Sequence, residues 1–237
     1  MPRVTHQLDP QFAALDLALL QDAALSTCRA FNATYACMRV QQIKTRVLHL
    51  RDQQVETSLD HRDLGVGVRV VVDGAWGFAA TSSLTPEAVR RAARRACELA
   101  QRCAGLPGPR VQIAEEPVAR GTHISSYAVD PFDVPVAQMV DVLRDRAGLM
   151  QGLDHTSVSL ECAKETVFLA DLAGAEIRQQ RVRLYPVYTG VRITADGFDD
   201  MSTIAAPVGR GWEYCLDGYD WESELTALPG LLDEKCA

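Results

Sequence analysis

A chain of 237 residues that is 47% hydrophobic and 23% charged has the composition of a folded globular protein, long enough for one large domain or two smaller ones without disulfide or metal staples. That mix excludes an intrinsically disordered chain, and no apolar run approaches the ~20 residues that a membrane-spanning helix needs. The formal net charge of -7 disfavours nucleic acid as a partner, because phosphate binding draws its energy from concentrated Lys and Arg.

The opening decapeptide, MPRVTHQLDP, has no apolar centre and no small-residue cleavage site, so the expectation is a cytoplasmic protein without membrane attachment. Asp9 followed by Pro10 starts a helix: the carboxylate caps free N–H groups, and Pro has none to lose in the first turn. Phe12, Leu15, Leu19, Ala23 and Cys28 recur at roughly helical spacing, which predicts one helix ending near Asn32. From Thr34 the period becomes two. Ala36, Met38 and Val40 alternate with polar residues, then Val55, Thr57 and Leu59, then Val66, Val68, Val70 and Val72. Asp73-Gly74 suits a two-residue hairpin turn, and Trp76, Phe78 and Ala80 return on the partner strand.

Thr85-Pro86-Glu87 opens a second helix with a cap, a first-turn proline and an acid at the positive end. Its predicted buried stripe is Val89, Ala92, Ala93, Ala96, Leu99, Ala100 and Cys103, with Gly105 at the C-terminal cap. Pro107, Pro109, Pro117, Pro131 and Pro135 then crowd into one segment, nearly half of the 11 prolines, which reads as a connection between two units. Beyond it the plan restarts. Val136, Met139, Val140, Leu143, Ala147 and Met150 form a helical stripe; Val158, Leu160 and Cys162 alternate, as do Val167 and Leu169; Ala173-Gly174 turns. A last helix is expected to begin near Asp220 and to kink or stop before Pro229.

The octapeptide GVRVVVDG, starting at residue 67, is nearly repeated by GVRITADG, starting at residue 190. Each falls at the same stage of a helix-then-meander order, which favours a repeated architecture. The expected fold class is therefore α+β, with two consecutive units of antiparallel β-meander packed with helices. The expected division is 1–106, a Pro-rich connection over 107–134, and 135–237.

No catalytic constellation emerges from these residues. The histidines His6, His49, His61, His123 and His155 include no helix-spaced pair; His49 and His61 fall on predicted strands of one meander, but two histidines without a third ligand make a weak metal site. There is no GxSxG elbow and no phosphate loop, and a strand follows Gly65-Val66-Gly67 where a nucleotide site needs a helix. Arg90, Arg91, Arg94 and Arg95 read as the solvated face opposite the alanine stripe. Seven cysteines without CxxC spacing predict buried thiols and no disulfide framework.

The stretch GVGVRVVVDGAWGFAATSSLTPEAVRRAARRA at 65–96 resembles the first block of the TldD/PmbA family, and VDPFDVP at 129–135 and GRGWE at 209–213 follow in family order. Members are cytoplasmic zinc metallopeptidases and their partner subunits, some first described as modulators of DNA gyrase. WGFA and DPFDVP are more similar to the metal-bearing TldD-type subunit than to the PmbA/TldE-type partner. The motifs nominate Gly67, Arg69, Asp73, Gly74, Trp76, Gly77, Phe78, Asp130, Pro131, Gly209, Arg210 and Gly211 as structural or cleft residues.

The resemblance also implies an HExxxH motif and a later cysteine that bind zinc in a C-terminal domain following a helix like the one ending LLDEKCA. No residue of 1–237 matches that motif, and Cys236 precedes its place, so no catalytic or metal-binding role transfers. The implied chain is the N-terminal part of a TldD-like metallopeptidase, inactive alone. It would contribute walls of a cleft for extended peptides and a dimer surface toward a TldE/PmbA-like subunit or a second copy. Zinc belongs to the intact family member and no cofactor to this chain. The alternatives are a stand-alone, non-catalytic interaction module that pairs with a full-length relative, and a gyrase-linked regulatory protein.

Overall fold

The computed structural model of the chain describes residues 7–237, so His6 and most of the opening decapeptide lie outside the described residues. Two short-long helices come first, α1 (Pro10–Ala13) and α2 (Leu17–Ala30), then strands β1 (Tyr35–Arg51), β2 (Gln54–Val72) and β3 (Ala75–Thr81), then α3 (Pro86–Ala104). A short strand, β4 (Arg120–Ile124), precedes α4 (Val136–Ala147), β5 (His155–Asp171), β6 (Glu176–Thr194), β7 (Gly197–Ser202), α5 (Glu213–Leu216) and α6 (Trp221–Cys236). The strands form one sheet in the order β3-β2-β1-β5-β6-β4, with β7 also on β6. Every pairing is antiparallel except β4 with β6. The expected α+β fold with two meanders is observed.

The two meanders join through β1 and β5, which pair antiparallel with Lys44 opposite Lys164. Both strands are 17 residues long, and β2 and β6 are both 19. Lys44 and Lys164 hold the same position in their strands, so an approximate two-fold axis runs beside that pair. On β1 and β2 the even-numbered side chains face the helices. Ala36, Met38, Val40, Val66, Val68 and Val70 pack with α2 and α3 in one apolar cluster, while Leu48, Leu50, Val158, Leu160 and Leu184 pack with α4 and α6 in another.

The repeated octapeptides both fall on strand plus turn, but one residue out of step. β2 ends at Val72, paired with Ala75, so Asp73 (φ 50) and Gly74 (φ 73) form the loop. β6 ends at Thr194, paired with Gly197, so its loop is Ala195-Asp196. A one-residue slip moves side chains to the other face. Gly67 therefore lies against the Phe78 ring on the face away from the helices, whereas a Cβ on Gly190 would meet Leu153 and Leu228 on the helix face.

Two helix boundaries differ from expectation, and two further details come from the structure. The first helix is two, because Asp16 caps a new start by accepting from the Leu19 N–H; Leu19 is exposed, while Ala23 and Cys28 are buried as expected, together with Leu17, Leu20, Ala24 and Leu25. The last helix continues through Pro229 to Cys236, held on both sides by buried Leu225, Leu228 and Leu232. The Pro-rich segment contains β4 and is fastened to the first turn, where Val111 N–H donates to Gly74 O at 2.8 Å. Val55, Thr57 and Leu59 do lie on a strand, but all are exposed.

Gly74→Val should cost about 1–3 kcal/mol, since a β-branched residue is poorly tolerated at positive φ and the added Cβ would sit 2.8 Å from Arg110 Cδ. Urea midpoints of the two proteins measure this; equal midpoints would refute it.

Candidate functional site

The face of the sheet away from the helices carries a groove of about 740 Å³ across β1, β2 and β3. Two glycines flatten its floor. A Cβ on Gly67 would lie 3.1 Å from Phe78 Cε2, so the ring of the neighbouring strand covers the glycine. Trp76 meets Tyr35 edge-on with ring centroids 5.7 Å apart, and the Arg69 guanidinium lies 5.8 Å from the Trp76 ring. Both Trp76 (43% exposed) and Phe78 (56%) still present much of their surface to solvent. Along the sheet, Glu165 binds Arg39 at 3.0 Å and Arg183 at 2.6 Å. Burial, then the neighbouring Cys37 thiol, pushes the Tyr35 hydroxyl up to about 12. Burial also raises the Cys37 thiol despite its hydrogen bond with Tyr35. Neither is ionised at neutral pH, so the groove offers aromatic and cationic surface without a nucleophile.

A second constellation occupies the helix-facing side at the two-fold. The buried polar side chains Asp9, Gln42, Arg46, Asp130, Lys164, Thr166 and Gln180 form a belt between the two apolar clusters. Lys44 Nζ donates to Asp9 Oδ2 at 2.6 Å, Lys164 Nζ to Asp130 Oδ2 at 2.5 Å, and Lys164 lies 3.8 Å from Asp9. Asp9 N–H donates to Gln180 Oε1 at 2.7 Å. Burial alone would raise the Asp9 carboxyl, but the Lys44 hydrogen bond and charge hold it below its ordinary value. Arg46 grips both oxygens of Asp60 at 2.7 and 2.8 Å and donates to Pro131 O and Val134 O at 3.0 and 2.9 Å. Its pairing with Asp60 raises the guanidinium and lowers the carboxyl.

A cleft of about 720 Å³ opens beside Asp9, Lys44, Asp130 and Lys164. Each ammonium there is matched by a carboxylate, and the Lys164–Asp130 pair and the Arg46 bonds to Pro131 O and Val134 O fasten segment 128–134 to the sheet. That segment also receives GRGWE. Glu213 accepts from Ala128 N–H, Val129 N–H and Gly211 N–H, each at 3.0 Å, and Trp212 N–H donates to Val129 O at 2.8 Å. A Cβ on Gly211 would stand 2.1 Å from Val129 O.

The nominated residues thus fall in separate places. Gly67, Arg69, Trp76 and Phe78 share the groove face, Asp73 and Gly74 make the turn, and Gly77 lies beneath α3, where a Cβ would be 1.9 Å from Ala96 O. Asp130, Pro131 and Gly211 belong to the belt region and are buried, while Gly209 and Arg210 are exposed. His49 pairs with Glu56 and His61 with Asp63, not with each other. Arg90, Arg91, Arg94 and Arg95 are exposed on α3. Asp9 is legible in the sequence only as the helix cap it proves to be; Lys44, Arg46 and Lys164 carry no motif, although Gln42, Lys44 and Arg46 stand in phase with Val40 and Leu48, at positions where the alternation calls for apolar residues.

Among the described residues no group of three or more His, Cys, Asp or Glu side chains is placed to hold a metal ion. Nor, among them, is any helix long and apolar enough to cross a membrane.

Residues 38–100 match the family described as PmbA/TldA metallopeptidase domain 1. No curated protein matches the chain. Among solved structures, a candidate modulator of a DNA gyrase from Thermotoga maritima is similar with a TM-score of 0.65 and 10% identity, over 90% of this chain and 47% of that one. A candidate modulator of DNA gyrase from Bacteroides thetaiotaomicron gives 0.64 and 10%, over 97% and 50%. TldE from Thermococcus kodakarensis gives 0.58 and 13%, over 90% and 47%. At these identities the likeness is one of fold, and the chain spans about half the length of the structures it matches.

Proposed function

From the match of residues 38–100 to PmbA/TldA metallopeptidase domain 1 and the likeness of fold over most of the chain, we propose that this is the non-catalytic, N-terminal part of a TldD-like peptidase, whose groove face forms one wall of the cleft for an extended peptide. The observation that carries this reading is the groove itself, lined by the exposed Phe78 ring with Arg69 and Arg39 and flanked by the exposed Trp76 ring, which meets the lining residue Tyr35 edge-on, on the sheet face away from the helices. Aromatic rings take up apolar side chains of varied shape, and the guanidinium groups attract carboxylates of the same peptide. Such a wall binds unfolded chains with little sequence preference. The hydrolytic chemistry would come from zinc held by another domain or subunit, and a TldE/PmbA-like chain is the partner expected.

A fluorescein-labelled unstructured acidic peptide titrated with the protein should show rising anisotropy, weakened at least several-fold by Trp76→Ala and by Arg69→Ala with the melting temperature preserved. In the same preparation, metal content after mild chelation should fall well below one zinc per chain, and the peptide should remain uncleaved. Binding indifferent to both substitutions would overturn the groove assignment. Stoichiometric zinc with chelator-sensitive cleavage by residues 1–237 would overturn the non-catalytic assignment.

A further inference from the structure

In a chain whose net charge is -7, α3 concentrates four arginines in little more than one turn, Arg90, Arg91, Arg94 and Arg95. All four are exposed, and from Glu87 to Arg102 every exposed residue of the helix is Arg, Glu or Gln. Arg90 pairs with Glu87 at 3.4 Å, whereas among the described residues Arg91, Arg94 and Arg95 have no ion pair or hydrogen bond. Arg94 follows Arg90, and Arg95 follows Arg91, after about one turn, so the guanidinium groups stand in two neighbouring rows, and like charges at that spacing oppose the helix. The repulsion is tolerated because the other side of α3 is fixed: Ala92, Ala93, Ala96 and Ala100 are buried, and the bare Gly77 admits the helix backbone. A face that met only water would be served by interspersed charges of both signs.

We propose that the outward face of α3 docks an acidic helix of a partner protein, whose carboxylates, repeating at the same one-turn interval, stand opposite Arg91, Arg94 and Arg95. Unlike charges facing each other across an interface steer the encounter and fix the register, and guanidinium groups take carboxylates in bidentate pairs. Other anionic partners fit less well. Nucleic acid is disfavoured by the net negative charge of the chain, and the face holds no aromatic side chain on which a base could stack. An anionic membrane surface takes up amphipathic helices by their apolar face, and the apolar side of α3 is already packed on β2, β3 and α2. The groove lies on the sheet face away from the helices, so this inference is independent of the peptide cleft, and failure of the peptide experiment leaves it standing.

The experiment titrates the full chain into a fluorescein-labelled, alanine-rich helical peptide of about 20 residues with glutamates along one face, and into an isomer with the same glutamates spread evenly around the helix. The one-faced peptide should bind at least several-fold tighter, and added salt should weaken it. The charge-reversed variant Arg91→Glu/Arg94→Glu/Arg95→Glu should weaken its binding about tenfold or more with the melting temperature preserved, and the neutral variant Arg91→Gln/Arg94→Gln/Arg95→Gln should weaken it as well. A peptide with lysine in place of each glutamate should bind the charge-reversed variant and not the wild type. Trp76→Ala and Arg69→Ala should leave the affinity unchanged. Equal affinity for the two isomers, indifference to the α3 substitutions, loss of binding through Trp76→Ala, tighter binding of duplex DNA in the same buffer, or self-association in sedimentation equilibrium that vanishes in the charge-reversed variant would each overturn the proposal.

Discussion

Replacing Gly77 by valine is expected to abolish stable folding of the first unit, or at least to cost on the order of 3 kcal/mol or more. Gly77 lies on β3 opposite Val70 and faces α3. Its built Cβ would stand 1.9 Å from Ala96 O and 2.9 Å from Ala100 N, and these are backbone atoms of a helix that cannot rotate away. The helix must lift from the sheet, and Ala92, Ala93, Ala96 and Ala100, all buried now, would then lose their contacts. The alanine stripe is the other half of the same close approach: small residues on the helix meet a glycine on the strand. Gly77→Ala should be milder but still clearly destabilising, whereas Gly209→Ala, where a Cβ meets nothing within 4 Å, should be nearly neutral. Urea unfolding monitored by tryptophan fluorescence ranks the three, and a Gly77→Val midpoint near wild type would show that the helix sits further from the strand.

The second large effect concerns the belt. Lys44→Met should cost about 3 kcal/mol at pH 7, because removing one partner of a buried pair leaves a carboxylate without its compensating charge. Asp9 is 2% exposed and would keep Lys164 at 3.8 Å, the Gln42 side chain and the N–H groups of Gln11 and Phe12. The sign of the pH dependence follows from the lowered Asp9 carboxyl. A carboxyl lowered on folding contributes stability that is fully present above its unfolded value, about 3.9, and is lost as pH falls through the folded value. The wild-type advantage over Lys44→Met should therefore be large at pH 7 and shrink as the pH is brought below about 4. Adding Asp9→Asn to Lys44→Met should recover part of the loss at neutral pH, since the unpaired charge goes with it. Urea midpoints at pH 7 and pH 3.5 test both statements; a gap of the same size at both would mean that lost packing of the lysine stem, not the carboxylate, governs the site.

The sequence by itself determined the local parts. Period-two alternation located β1, β2 and β5, the Thr85-Pro86 start located α3, and the Asp73-Gly74 pair located a turn whose positive φ values only such residues adopt readily. These signals act between near neighbours, which is why they survive in a linear reading, and the family blocks at 65–96, 129–135 and 209–213 were legible for the same reason. Only the tertiary structure decided what joins what. The pairing of β1 with β5 sets Lys44 beside Lys164 and makes one sheet of two meanders; nothing near either lysine in the sequence specifies a partner so far along the chain. The octapeptides read as equivalents, yet a single-residue difference in turn placement sent Arg69 to the groove face and Arg192 to Asp233 on α6. The helix does not stop at Pro229 because a missing N–H is a local penalty, while α6 packs on β6, β7 and α4 and buries Leu225, Leu228 and Leu232 on both sides of it. Charged residues in phase with the core, Lys44 and Lys164 above all, become intelligible only when the fold brings Asp9 and Asp130 to them, because a buried charge is tolerated through its partner, and the partner is chosen by the fold.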